Sequence, residues 1–93
     1  MVSGIYMLLN LVTEIYYIGQ ALDFDTRWKI HINELNNNKH CNKLLYRAWN
    51  KHGQENFKFY VLEIVIDENK LDEREQYWMD RSKCYERGIG YNI

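Results

Sequence analysis

Gly4-Ile5-Tyr6-Met7-Leu8-Leu9-Asn10-Leu11-Val12-Thr13-Glu14-Ile15-Tyr16-Tyr17-Ile18-Gly19 decides the fold. Residues 5–9 and 15–18 are rich in Ile, Tyr and Leu, which sit well on a pleated surface. Asn10, Leu11, Val12 and Thr13 separate the two runs, so residues 4–19 read as a β-hairpin. The connection has no Asn-Gly turn, which points to a looser four-residue loop. With residues 10–13 as that loop, Leu9 faces Glu14 and Tyr6 faces Tyr17. Directly opposed residues share one face of a sheet, so the hairpin sets two phenols side by side.

Outward from the hairpin, residues 24–36 read as a helix capped by Asp23 or Asp25, with Phe24, Trp28, Ile32 and Leu35 as its apolar stripe. Residues 42–52 form a second helix through Leu45, Ala48 and Trp49, stopped by Gly53. Phe57 to Val65 is a long β-prone run, and residues 69–82 form a third helix through Leu71, Trp78 and Met79. The order ββααβα predicts a small α+β domain: an antiparallel sheet covered by helices.

At 93 residues the chain fits one domain spanning 1–93. A domain of that size buries about 60–65% of its unfolded surface, enough for a modest core. Hydrophobic residues reach 46%, which excludes a disordered composition. No run of about 18 apolar residues is present, so no membrane partner is expected. Met1-Val2-Ser3-Gly4 lacks the basic and apolar regions of a signal peptide, and a cytoplasmic setting is expected. Cys41 and Cys84 form no CxxC pair, and His40 beside Cys41 does not complete a zinc spacing; reduced thiols are the simpler reading. The net charge is −1, less basic than a nucleic-acid binder relying on its own field. A catalytic module delivered by another segment is less affected.

Three groups of polar residues stand in unexpected places. On the third helix Leu71, Glu75, Trp78 and Met79 fall within about 100° of one another, which puts a carboxylate inside the apolar stripe. Such a group needs a buried Arg or Tyr partner, or a metal ion. On the first helix Arg27 and His31 lie on one face and border the stripe. Taken alone they are a snorkelling Arg and a satisfied half-buried His. Tyr6 and Tyr17 alone are ordinary strand aromatics. Together these groups are the parts of a phosphoryl-transfer site. A carboxylate holds a divalent cation, the cation and an Arg neutralise phosphate charge, and a Tyr or His orients or deprotonates water.

The residues resemble the GIY-YIG nuclease superfamily. Gly4-Ile5-Tyr6 and Tyr17-Ile18-Gly19 match its signature, and Arg27-Trp28-Lys29-Ile30-His31 resembles its Arg-x-x-x-His helix. Asn50-Lys51-His52-Gly53, the Glu75 helix with Tyr77-Trp78, and Gly90-Tyr91-Asn92-Ile93 resemble further segments in the same order. The resemblance is greatest to catalytic domains of phage- and intron-encoded homing endonucleases. It implies a central three-stranded antiparallel sheet flanked by about three helices. It also implies hydrolysis of DNA phosphodiester bonds to 5′-phosphate and 3′-hydroxyl ends. Tyr6 is similar to the tyrosine that activates or positions water, and Tyr17 to the second signature tyrosine at the phosphate. Arg27 resembles the phosphate-stabilising arginine, and His31 the histidine that supports proton transfer and the tyrosine. Glu75 resembles the sole protein ligand of Mg²⁺ or Mn²⁺, and Asn92 the brace of the site. Gly4 and Gly19 are read as structural, letting other backbone come close.

The hairpin loop departs from many relatives, which carry Asn-Gly or Gly-Lys there. The positive charge lost from the DNA-facing rim bears on affinity rather than chemistry. The expected function is a metal-dependent DNA endonuclease of homing or stand-alone phage type, which for a phage gene acts inside the host cell. A separate DNA-binding domain or partner then supplies specificity. The alternatives are a repair- or restriction-type nuclease of the same chemistry, and a catalytically weak nucleic-acid-binding domain.

Overall fold

The hairpin forms as two antiparallel strands, β1 (Gly4–Asn10) and β2 (Tyr16–Ala21), in the computed structural model, which describes residues 1–93. Its register differs from the expected one by two residues. Tyr6 pairs with Gly19, and Tyr17 with Leu8. Asn10 is the cause. It lies inside β1, fully buried, rather than in the loop. Its Oδ1 accepts from Val12 N at 2.9 Å and Thr13 N at 3.4 Å, and its Nδ2 donates to the Tyr91 hydroxyl at 3.1 Å. Asn10 thus builds the turn from within the strand, as Asn side chains do by mimicking a backbone turn. Its own N–H donates to Ile15 O, and Glu14 closes the loop at φ 64°. A shift of two preserves the alternation of faces, so the phenols still share one face, as diagonal neighbours.

The third strand, β3 (Phe57–Ile64), pairs antiparallel with β1, giving the sheet order β2-β1-β3. The β1–β3 ladder is irregular between Ile5 and Tyr6. Gly4 sits beside that irregularity, where a Cβ would lie 2.0 Å from the Glu63 carbonyl oxygen. Close backbone approach is therefore why residue 4 is glycine.

Three helices follow the expected spans: α1 (Phe24–Asn36), α2 (Lys43–His52) and α3 (Leu71–Ser82). Residue 42 is the cap of α2 rather than its first turn, with Asn42 Oδ1 accepting from Leu45 N at 3.0 Å. Residues Glu68–Lys70 form a separate 3₁₀ turn before α3, capped by Asp67 onto Asn69 N. At α1 the Asp23 carboxylate accepts from the Thr26 hydroxyl and caps no backbone N–H.

Two apolar layers hold the sheet. Leu8 joins Leu35, Leu45, Trp49, Phe57 and Tyr91, with Trp28 and Ile32 against them, so α1 and α2 cover the face that carries Tyr6 and Tyr17. Ile5 and Ile18 join Val65, Leu71 and Cys84, with Trp78 and Met79 against them, so α3 covers the opposite face. Both cysteines are free thiols, Cys84 buried and Cys41 exposed. No helix is long and apolar enough to cross a membrane.

Candidate active site

Tyr6 is the centre of the site. Its ring is fully buried and stacks on Phe59 of β3, with centroids 4.7 Å apart. Opposite it on β2, a Cβ on Gly19 would lie 2.4 Å from the phenol oxygen. Gly19 therefore makes room for a side chain, where the sequence suggested room for backbone. The Tyr6 hydroxyl is hydrogen-bonded to His31 Nε2 at 2.5 Å, and Arg27 Nε–H donates to the same oxygen at 3.4 Å. Spacing of four on α1 places Arg27 and His31 one turn apart, so both reach one phenol. Tyr17 completes the group, its ring centroid 6.4 Å from Tyr6 and 5.7 Å from His31.

The electrostatics follow from burial. Burial raises the Tyr6 phenol above its ordinary value, with Tyr17 adding and Arg27 opposing. Tyr17 is also raised, by burial first, against Arg27. Both phenols hold their protons at neutral pH. Burial lowers His31 to about 3, with Arg27 and His40 adding to the effect. His31 is wholly inaccessible, where the sequence suggested half-burial.

Glu75 arrives differently from the sequence expectation. It is half-buried rather than turned into the core, and it comes from α3 on the opposite face of the sheet. It meets the site around the β2 edge. Gln20, on the α3 side of β2, bridges there: its Nε2 donates to Asp72 Oδ1 at 2.7 Å and to Glu75 Oε1 at 3.2 Å. The charge of Glu75 acts on both phenols. Gln20 and Arg27 also share the wall of an open concavity of about 420 Å³. Glu75 has no cationic partner. The neighbouring Arg74 instead grips Glu63 of β3 through Nε and Nη2 at 2.8–3.0 Å, and Trp78 Nε1 donates to the same carboxylate at 2.9 Å. Arg74 and Trp78 of α3 are both committed to Glu63, so Glu75 keeps only its hydrogen bond from Gln20.

Asn92 is a brace in the strict sense. Its Oδ1 accepts from Ile18 N at 2.9 Å, and its Nδ2 donates to Ile18 O at 2.8 Å. Both ends of the amide are committed to the Ile18 backbone of β2, between Tyr17 and Gly19, so Asn92 holds that strand in place.

The pattern of the GIY-YIG catalytic domain matches residues 2–88. The chain belongs to the GIY-YIG family. It is 37% identical over its whole length to intron-associated endonuclease 1 of Enterobacteria phage T4. It is 38% identical, over 74% of its length, to probable intron-encoded endonuclease 1 of Neurospora crassa. The chain spans 37% and 21% of the lengths of these two relatives. Among solved structures it is similar to a mutant catalytic domain of intron endonuclease I-TevI, with a TM-score of 0.90 and 35% identity, covering 100% of this chain and 94% of that one. A second structure of the catalytic domain of homing endonuclease I-TevI gives a TM-score of 0.85 at 33% identity, covering 96% of this chain and 95% of that one.

In this GIY-YIG domain two site residues went unread in the sequence. His40 lies in the loop between α1 and α2, and its Nε2 is 2.9 Å from His31 Nδ1. Its place beside Cys41 drew attention to zinc and away from His31, nine residues earlier in sequence. Gln20 follows the signature glycine directly, and alternation along β2 puts it on the α3 side. That parity was readable; its contact with Glu75 was not.

Proposed function

We propose that this GIY-YIG domain is the catalytic part of a divalent-metal-dependent endonuclease that hydrolyses DNA phosphodiester bonds. One observation carries the reading: a hydrogen-bonded set of Tyr6, His31 and Arg27 faces, across the β2 edge, a carboxylate with no cationic partner. The names of the relatives, intron-associated and intron-encoded endonucleases, support a homing-type role.

The residues fit a hard cation. No three His, Cys, Asp or Glu side chains gather into a ligand set, so Mg²⁺ or Mn²⁺ here would rest on one carboxylate, with water and phosphate oxygens completing its shell. Glu75 would be that carboxylate, since Gln20 occupies only its Oε1. Such an ion supplies Lewis-acid polarisation and charge neutralisation at the phosphate. Arg27 adds a fixed positive charge for the developing transition state. Tyr6, supported by His31, orients the attacking water, and Tyr17 stands beside it toward the phosphate. Asn92 holds β2 in register with this set. Because the net charge is −1, a separate DNA-binding segment or partner supplies most of the affinity.

The test is nicking of supercoiled DNA with Mg²⁺ or Mn²⁺. Relaxed or linear product that disappears with a chelator supports the proposal. Intact plasmid with either ion, at protein in large excess, overturns it.

A further inference from the structure

The site contains a chain of hydrogen bonds whose direction is fixed at one end. The backbone N–H of Asn42 donates to His40 Nδ1 at 3.1 Å. A backbone amide only donates, so His40 Nδ1 must present its lone pair. A neutral imidazole carries one proton, which then sits on His40 Nε2. That nitrogen faces His31 Nδ1 at 2.9 Å, so Nδ1 accepts. The proton of His31 is thereby placed on Nε2, 2.5 Å from the Tyr6 oxygen. We infer that Asn42, His40 and His31 form a one-way relay in which His31 donates to Tyr6 and never acts as the base for its proton.

The relay deepens the proposed function and rests on it for its catalytic meaning. His31 cannot take a proton from Tyr6, because the nitrogen that faces the phenol already holds one. The Tyr6 oxygen accepts from His31 and from Arg27, so its own O–H points to neither of them. Accepting hydrogen bonds polarises an O–H and strengthens it as a donor. Any proton that Tyr6 does release is not taken up by the histidines.

The same wiring resists charge on either ring. A protonated His40 would set Nδ1–H against the Asn42 N–H. A protonated His31 would set Nδ1–H against His40 Nε2–H. Burial lowers both histidines in the same direction. His40 is therefore a positioning residue that acts through His31. Asn42 anchors the relay firmly, because its side chain caps α2 at Leu45 N and ties to Tyr91 O at 2.7 Å.

Long-range ¹H–¹⁵N spectra of the histidine rings near neutral pH test the relay. The expected result is a single proton on Nε2 of both His31 and His40. A proton on Nδ1 of either ring, or exchange averaging between the two nitrogens, overturns it. His40→Gln keeps an N–H donor toward His31 and retains the His31 pattern. His40→Ala removes the donor, mixes the His31 forms, and lowers the cleavage rate by up to about tenfold, as loss of one hydrogen bond predicts, with KM little changed. An unchanged His31 pattern in His40→Ala also overturns the relay. If His40→Ala fails to fold in a thermal melt, the wild-type and His40→Gln spectra decide. These spectra need no cleavage, so loss of the proposed function and loss of the relay are separately visible.

Discussion

Gly19 and Tyr6 are register partners, and the phenol oxygen fills the space that a Cβ on residue 19 would need. Gly19→Ala therefore displaces Tyr6 from His31 or opens the strand pair. Overpacking of this kind costs about 1–3 kcal/mol, read as a lower urea midpoint, with cleavage reduced further than stability explains. Glu75→Gln keeps the size of the side chain and removes its charge. It abolishes cleavage and divalent-ion binding by calorimetry while leaving the melt unchanged, since Glu75 has no ion pair to lose; persistent cleavage removes Glu75 from the site. Arg27→Ala removes the guanidinium that reaches Tyr6. The loss is on the order of 10²–10³ in rate, and a normal single-turnover rate refutes the role. At this scale the sequence showed much. The spacing of Arg27 and His31 was visible as pattern, whereas the apolar stripe suggested a core-facing Glu75 and not its half-buried place beside Gln20. His40 was not visible, because a loop has no periodicity to direct a side chain. Nor was the division of labour between Glu63 and Glu75, which depends on which carboxylate Arg74 reaches across β3.

The elements were legible in kind and less so in register. Hydrophobic spacing marked all three helices and all three strands, because each buries one stripe or face. The hairpin register depended on Asn10, whose preference for turns suggested the loop when its side chain acts from inside β1. Asn10→Ala removes the acceptor for Val12 N and Thr13 N and leaves the Tyr91 hydroxyl short of a partner. A loss of about 1–3 kcal/mol is expected by chemical denaturation. The corner that joins α1 to α2 carries a second consequence. His31 is held near 3 by burial, with Arg27 and His40 adding, and His40 is lowered by burial with Arg27 while Glu34 opposes. An unfolded His titrates near 6.5, so below that pH the unfolded chain binds protons that the native rings refuse. Stability is complete above about pH 6.5 and falls as pH drops toward about 3. His31 alone accounts for about 2 kcal/mol by pH 5. Urea titrations at pH 7.5 and 5 measure the loss. Replacing His31 by Phe should flatten this dependence even as it ends cleavage; a slope unchanged in that variant would show that other groups set it.

The whole molecule places its candidate site residues at a sheet edge that two helical layers approach from opposite sides. α1 brings Arg27 and His31 to one face, α3 brings Glu75 around from the other, and β2 with its Asn92 brace forms the rim between them. Such a rim can accept a duplex backbone from outside, but it has little field of its own to draw one in. The net charge is −1, and the loop at Leu11–Glu14 contributes an acid and no base. Counterion release supplies most non-specific DNA affinity, and it scales with the number of phosphates that a protein neutralises. The domain alone should therefore bind duplex DNA no more tightly than about 10⁻⁴ M at physiological salt, with a shallow dependence of log K on log salt. Tethering changes the arithmetic, because a linked DNA-binding module turns encounter into an intramolecular step worth about 10²–10⁴ in apparent affinity. Fused to a sequence-specific DNA-binding domain, the chain should cleave a plasmid beside that domain's site at least tenfold faster than the free chain does. The gain should vanish on a plasmid lacking the site and in the Glu75→Gln fusion. Equal rates for the fused and free chains would show that the catalytic domain finds DNA unaided, and that the low net charge conceals a sufficient basic surface.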